Sequence, residues 1–159
     1  MALLVILMLG VGKFVMPGVS PDDPQKVLML QIHAYIGGLL GILLVVRLTF
    51  RFTTKQPTPA DAGNALLNFV AKVTHLLLYL FIAGMAVSGL GLFQMAQLPA
   101  VFSGEFPYPS DFFQYLPRIG HGLTSLLLLG LVALHFGAAM YHQFVRKDNL
   151  LARMWFGKS

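Results

Sequence analysis

Five histidines, His33, His75, His121, His135 and His142, are set into stretches of sequence that are otherwise almost wholly apolar. Neutral imidazole is a ligand for iron, and two facing imidazoles can hold haem from both axial sides. Filling both axial positions disfavours oxygen binding and favours electron transfer. Zinc would ask for a tetrahedral set that includes thiolate or carboxylate. The chain has no cysteine, and no acidic residue falls inside an apolar run. A histidine-lined metal transporter is disfavoured for the same reason, since such a pore calls for acidic or sulfur ligands within its spans.

Spacing decides which histidines can act together. Fourteen residues separate His121 from His135, which is about 21 Å along a helix, with the two within roughly 40° around its axis. His142 follows seven residues later on nearly the same face, and Ser125, Leu128, Val132 and Ala139 fill the stripe. His33 opens its own apolar run at about the depth of His121, with Gly37 and Gly41 continuing its face. Small residues there admit a neighbouring helix or a flat macrocycle. His75 enters from the opposite side, at a depth comparable to His135 and His142. Histidines near helix ends, such as His75 and His142, are ordinarily interfacial. His135 sits well inside an apolar helix, where polar groups are usually functional.

The elements that must position these groups are membrane helices. Of 159 residues, 57% are hydrophobic and 11% charged, with mean hydropathy +0.74; a soluble domain of this length could not hide so much apolar surface. Apolar runs occupy 1–16, 27–48, 66–95 and 119–145. The last three reach the ~20 residues needed to cross a bilayer, and the first is short. The pattern predicts one all-α domain over 1–159, an up-and-down bundle of four transmembrane helices. Pro-rich polar segments connect them, and the third connection, "AQLPAVFSGEFPYPSDFFQYLP", is aromatic enough to lie on the membrane interface.

The net charge of +5 reports topology rather than nucleic-acid binding. Arg47, Arg51, Lys55 and Lys72 flank the second connection, and Arg146, Lys147, Arg153 and Lys158 follow the fourth span. By the positive-inside rule both termini are cytoplasmic. The tail "VRKDNLLARMWFGKS" reads as a basic amphipathic segment on that surface. The chain contains no P-loop, glycine-rich dinucleotide fingerprint, HExxH or serine–histidine–acid set.

The blocks "QIHAYIGGLLGILLVVRLTFRF", "VTHLLLYLFIAGMAVSGLGL" and "IGHGLTSLLLLGLVALHFGAAMYHQFVRKDNLLARM", in that order, resemble the bacterial cytochrome b561 family of small four-helix dihaem membrane proteins. The resemblance covers essentially the whole chain, and "LH", small residues, "H" and a basic-Asp-Asn-Leu-Leu tail are its most specific part. It implies two b haems in the bacterial inner membrane. His33 and His121 would hold the outer one. His135 would hold the inner one together with a first-helix histidine, which the family usually follows with tryptophan. This chain has neither there, so the first span is expected to be truncated at its N-terminus; otherwise the inner haem would be five-coordinate, absent, or rescued by His75 or His142. His75 and His142 match family histidines at the cytoplasmic end, where ubiquinone is expected. Arg47 and Arg51 serve topology first, and beyond that can pair with haem propionates or anionic quinone species, because guanidinium matches such acceptors bidentately. Tyr79, one turn after His75, reads chiefly as packing.

The implied function is electron transfer across the bilayer between the quinone pool and a small one-electron donor or a redox partner protein. The alternative is a haem-bearing anchor subunit of a respiratory dehydrogenase or hydrogenase, which a co-purifying partner would reveal. Lipid is the solvent, and a homodimer is compatible with either.

Overall fold

The computed structural model describes residues 1–56, 61 and 63–147, so most of the basic tail and part of the second connection lie outside the described residues. Among those described, all regular structure is helical: α1 Ala2–Gly10, α2 Pro24–Thr53, α3 Ala65–Met95, α4 Leu98–Phe102 and α5 Leu116–Met140. Three stretches, Pro24–Thr53, Ala65–Met95 and Leu116–Arg146, are long and apolar enough to cross a membrane. The apolar segment Ala2–Gly18 is shorter. Its α-helix continues as a π-helical turn, Val11–Val15, and closes in a 3-10 turn, Met16–Gly18, at Pro17.

Local chemistry sets the helix starts. The Asp23 side chain accepts from the Gln25 N–H at 2.8 Å and Pro24 occupies the first turn of α2, a pairing that satisfies one orphan donor and omits another. The Asn64 side chain caps α3 by accepting from Leu67 N–H at 2.9 Å, and Pro117 stands in the first turn of α5. At the foot of α2 the hydroxyls of Thr49, Thr53 and Thr54 bond back to carbonyls four residues earlier.

The helices face lipid over most of their length. Leu3, Val87 and Leu134 are 83%, 72% and 71% exposed, a pattern that only an apolar solvent tolerates on this scale. A buried cluster lies at mid-height, where Val5, Met8 and Leu9 of α1 meet Leu40 of α2 and Leu128 of α5; Leu128 is only 2% exposed. The α3/α5 seam is closest, because Gly91 faces Pro117 so tightly that a Cβ would sit 3.0 Å from its ring.

At one end of the molecule, here called upper, lie the α1–α2 and α3–α5 connections. The short α4 forms part of the upper connection and buries Leu98 and Val101. Phe102 meets Tyr35 of α2 and Phe93 of α3 edge-on, with centroids 6.1 and 6.2 Å apart, which pins α4 across the top.

Lys26 is the buried cation of this end, 8% exposed. Its ammonium donates to the carbonyls of Met16 and Val19, the latter at 2.7 Å. The Met16 carbonyl also accepts the Val19 N–H that closes the 3-10 turn, so Lys26 ties the end of the Ala2–Gly18 segment to α2. Lys26→Met keeps the stem and removes the donors. Its expected cost is about 1–3 kcal/mol, read as a lower thermal midpoint in detergent and faster proteolytic release of the first segment.

Candidate haem site

The histidines gather in two pairs at different heights. In the upper pair, His33 of α2 faces His121 of α5 with ring centroids 6.3 Å apart and planes at 66°. In the lower pair, His75 of α3 faces His135 of α5 at 5.2 Å and 68°. The α-helical rise places the two α5 histidines about 21 Å apart along the axis, with Leu128 midway. Between the pairs lies the dry mid-height plug of Leu40, Leu128 and α1.

An iron porphyrin held by two imidazoles fixes the spacing of their rings. A metal–imidazole bond is about 2 Å, so two in line separate ring centres by about 6 Å. The upper pair has that spacing, and its rings belong to different helices. The lower rings are closer than in-line ligation through one atom needs. The donors are neutral imidazoles with no carboxylate or thiolate among them, and no cluster of three or more metal-binding side chains forms among the described residues. The buried His33 Nδ1 has no hydrogen-bond partner. That lone orphan marks a ring held in place by packing, chiefly against Gly12. The space beside the upper rings measures about 60 Å³ and is bounded by Met8, Gly37, Ile82, Met85 and Leu128, below the roughly 300–1,000 Å³ of organic-ligand pockets. Seating a macrocycle therefore requires Met8 and Met85 to swing outward, which unbranched thioether side chains do readily. Donor type and spacing fit haem at the upper pair, with that side-chain rearrangement as the condition.

Gly12 has a specific role here. A Cβ at this position would stand 2.9 Å from His33 Cε1, whereas a Cβ on Gly10 would meet nothing within 4 Å. Gly12→Ala should therefore displace the His33 ring at an overpacking cost of about 1–3 kcal/mol, and Gly10→Ala should not. Haem content after gel filtration, compared between the two variants, checks this.

The His121 ring is fixed from α3. Its Nδ1 lies 2.9 Å from Ser88 Oγ, and Gly89 packs beside its Cε1. Ser88 carried no weight in the sequence reading; a hydroxyl beside glycine in an apolar helix is routine, and only the fold brings it to His121.

At the lower end, Arg47 Nε donates to the Tyr79 hydroxyl at 3.1 Å. The guanidiniums of Arg47 and Arg51 lie 6.0 and 5.7 Å from the Tyr79 ring centre, within cation–π range. Tyr79 thus holds two cations together as well as packing. Asp61, the described carboxylate at this end, is engaged by the Asn68 amide and the Gly63 N–H, which hold it below the usual carboxylate range. His142 sits in the π-helical turn Tyr141–Arg146 that ends α5, its ring edge-on to Tyr141 at 6.1 Å.

On the upper surface, an open hollow of about 430 Å³ lies between the end of α3 and the segment that leads into α5, lined by Gln97, Phe106, Tyr108, Gln114 and Tyr115. Partial burial raises the Tyr108 phenol above its usual range, against a smaller opposing effect of Arg118.

Comparison with known proteins assigns the family. The family model for prokaryotic cytochrome b561 matches residues 1–157. Cytochrome b561 homolog 2 of Escherichia coli K12 is 29% identical over 138 residues, spanning 81% of this chain and 71% of the relative. Cytochrome b561 homolog 1 of the same organism is 26% identical over 131 residues, spanning 80% and 74%. No solved structure matches the chain. With the match running through α2, α3 and α5 and every paired histidine, the chain belongs to the prokaryotic cytochrome b561 family of haem-b membrane electron-transfer proteins.

Proposed function

We propose that this chain is a four-span, single-domain carrier that moves electrons across the bacterial inner membrane between a small donor on the outer side and ubiquinone on the cytoplasmic side. The observation that carries the reading is the upper histidine pair: two imidazoles on separate helices, facing each other at 6.3 Å, in a family that binds haem b. When bound, haem supplies reversible one-electron iron chemistry.

The residues of the chain divide the remaining work. His33 and His121 would hold the upper haem. His135 would be this chain's ligand for a lower one. The plug around Leu40 and Leu128 keeps water out between them. His75, too near His135 for in-line ligation through one iron, is assigned with His142 to the quinone end, where imidazole can pass a proton near neutral pH. Arg47 and Arg51 attract the anionic oxygens of propionates or of reduced quinone. A donor reaches the upper haem from the hollow lined by Tyr108 and Tyr115, since Tyr115 precedes His121 by six residues, about 9 Å of helix rise. With the positive-inside rule, this orientation leaves both termini in the cytoplasm.

Reduced-minus-oxidised spectra of the purified protein test the reading. A reducible b-type spectrum that reoxidises on adding ubiquinone supports it, and a protein with no such spectrum overturns it.

A further inference from the structure

We infer that Ser88 is a positioning residue that sets the protonation of His121 so that its Nε2 is presented to iron as a bare lone pair. The inference rests on the reading that His121 is a haem ligand.

Three distances around one hydroxyl support it. Ser88 Oγ donates to the Gly84 carbonyl one turn earlier at 2.6 Å, with the Met85 carbonyl at 3.2 Å, and it lies 2.9 Å from His121 Nδ1. A serine hydroxyl has one proton and two acceptor lone pairs. Carbonyl oxygens only accept, so the Gly84 contact at 2.6 Å requires the Ser88 proton; without it two oxygen lone pairs would face each other. With its proton committed to Gly84, Ser88 can only accept from His121. Nδ1 therefore carries the hydrogen, and Nε2 is left unprotonated.

The opposite tautomer would put the hydrogen on Nε2 and close the ring to metal. A ligating histidine whose other nitrogen donates a hydrogen bond is also a more basic, better oriented ligand. His33 has no such handle, since its Nδ1 is buried and unpartnered. The two histidines of the upper site are thus unequal: His121 is pre-set by hydrogen bonding, and His33 is held by packing against Gly12.

The test compares Ser88→Ala and Ser88→Thr with the parent, all purified with haem bound. Loss of the acceptor makes His121 a poorer donor, which disfavours ferric iron. Ser88→Ala should therefore move one component of the redox titration to higher potential, alter the ferric low-spin EPR signal of that haem, and weaken its retention about tenfold. Ser88→Thr keeps the hydroxyl and its bond to Gly84, and should return all three toward the parent. A merely structural serine would change the melting temperature without moving potential or EPR. An Ala variant with the parent's potential and EPR, from a loaded parent, overturns the Ser88 assignment alone. A parent without reducible haem overturns the ligand reading and this inference together.

Discussion

His121→Ala should lose the upper haem, so that reducible b-type absorbance per chain falls by about half if two sites are filled. The reason is geometric. The two upper rings stand on different helices at the spacing that in-line ligation through one iron requires, and no third histidine is paired with them. Removing either ring leaves a single axial ligand between walls built from Met8, Ile82, Met85 and Leu128, none of which offers a nitrogen. His33→Ala should give the same loss. His121→Met separates ligation from folding. A thioether can still take the axial position, and methionine–histidine ligation raises the reduction potential. The expected result is a retained haem at higher potential in His121→Met beside a missing one in His121→Ala, measured by haem-to-protein ratio and redox titration. Full haem content in His121→Ala would show that the upper pair is not the ligand set. Loss of both haems would assign His121 to folding.

That pair was within reach of the sequence because helical geometry alone fixes depth. His33 and His121 each sit near the upper start of a long apolar run, and a constant rise per residue makes equal offsets equal heights. The runs 66–95 and 119–145 correspond closely to Ala65–Met95 and to Leu116–Met140 with its π-helical extension. Helix α2 begins earlier than its apolar run because Asp23 and Pro24 start it inside a polar stretch.

Other features were not legible. α4 has five residues, less than the span over which a helical period can be read. The burial of Lys26 follows from the carbonyls of Met16 and Val19 gathered where Pro17 ends the first segment, which no charge pattern encodes. Ser88 and Tyr79 gain their roles only from the approach of α3 to α5 and α2, a tertiary fact. The lower pair was legible in height but not in partner, since depth alone does not say which rings touch.

The second large effect is expected at the lower end. Arg47→Gln combined with Arg51→Gln should slow ubiquinone-linked turnover about tenfold or more while leaving haem content near that of the parent. Both guanidiniums are gathered over Tyr79, and among the described residues it is this tyrosine, not a carboxylate, that holds them. Four of the acidic residues, Asp22, Asp23, Glu105 and Asp111, lie at the upper end, and Asp61 is engaged by Asn68 and Gly63. Two like charges brought together without a counter-ion repel, so the arrangement favours an anionic partner. Charge-assisted contacts are worth about 1.5–3 kcal/mol each, so removing two accounts for at least a tenfold change in rate. Tyr79→Phe provides the graded control. It deletes the hydrogen bond to Arg47 but keeps the ring beneath both cations, and its effect should be smaller than that of the double variant. The measurement is kcat/KM for ubiquinone-linked electron transfer, alongside haem content and potential. Parent-like kcat/KM in the double variant would reduce Arg47 and Arg51 to markers of topology. A fall in the lower haem's potential or occupancy with quinone kinetics unchanged would assign the cations to propionates instead. If the cations serve quinone, the loss should shrink as salt rises, because the parent's attraction to an anionic oxygen is screened while the glutamine variant has none to lose.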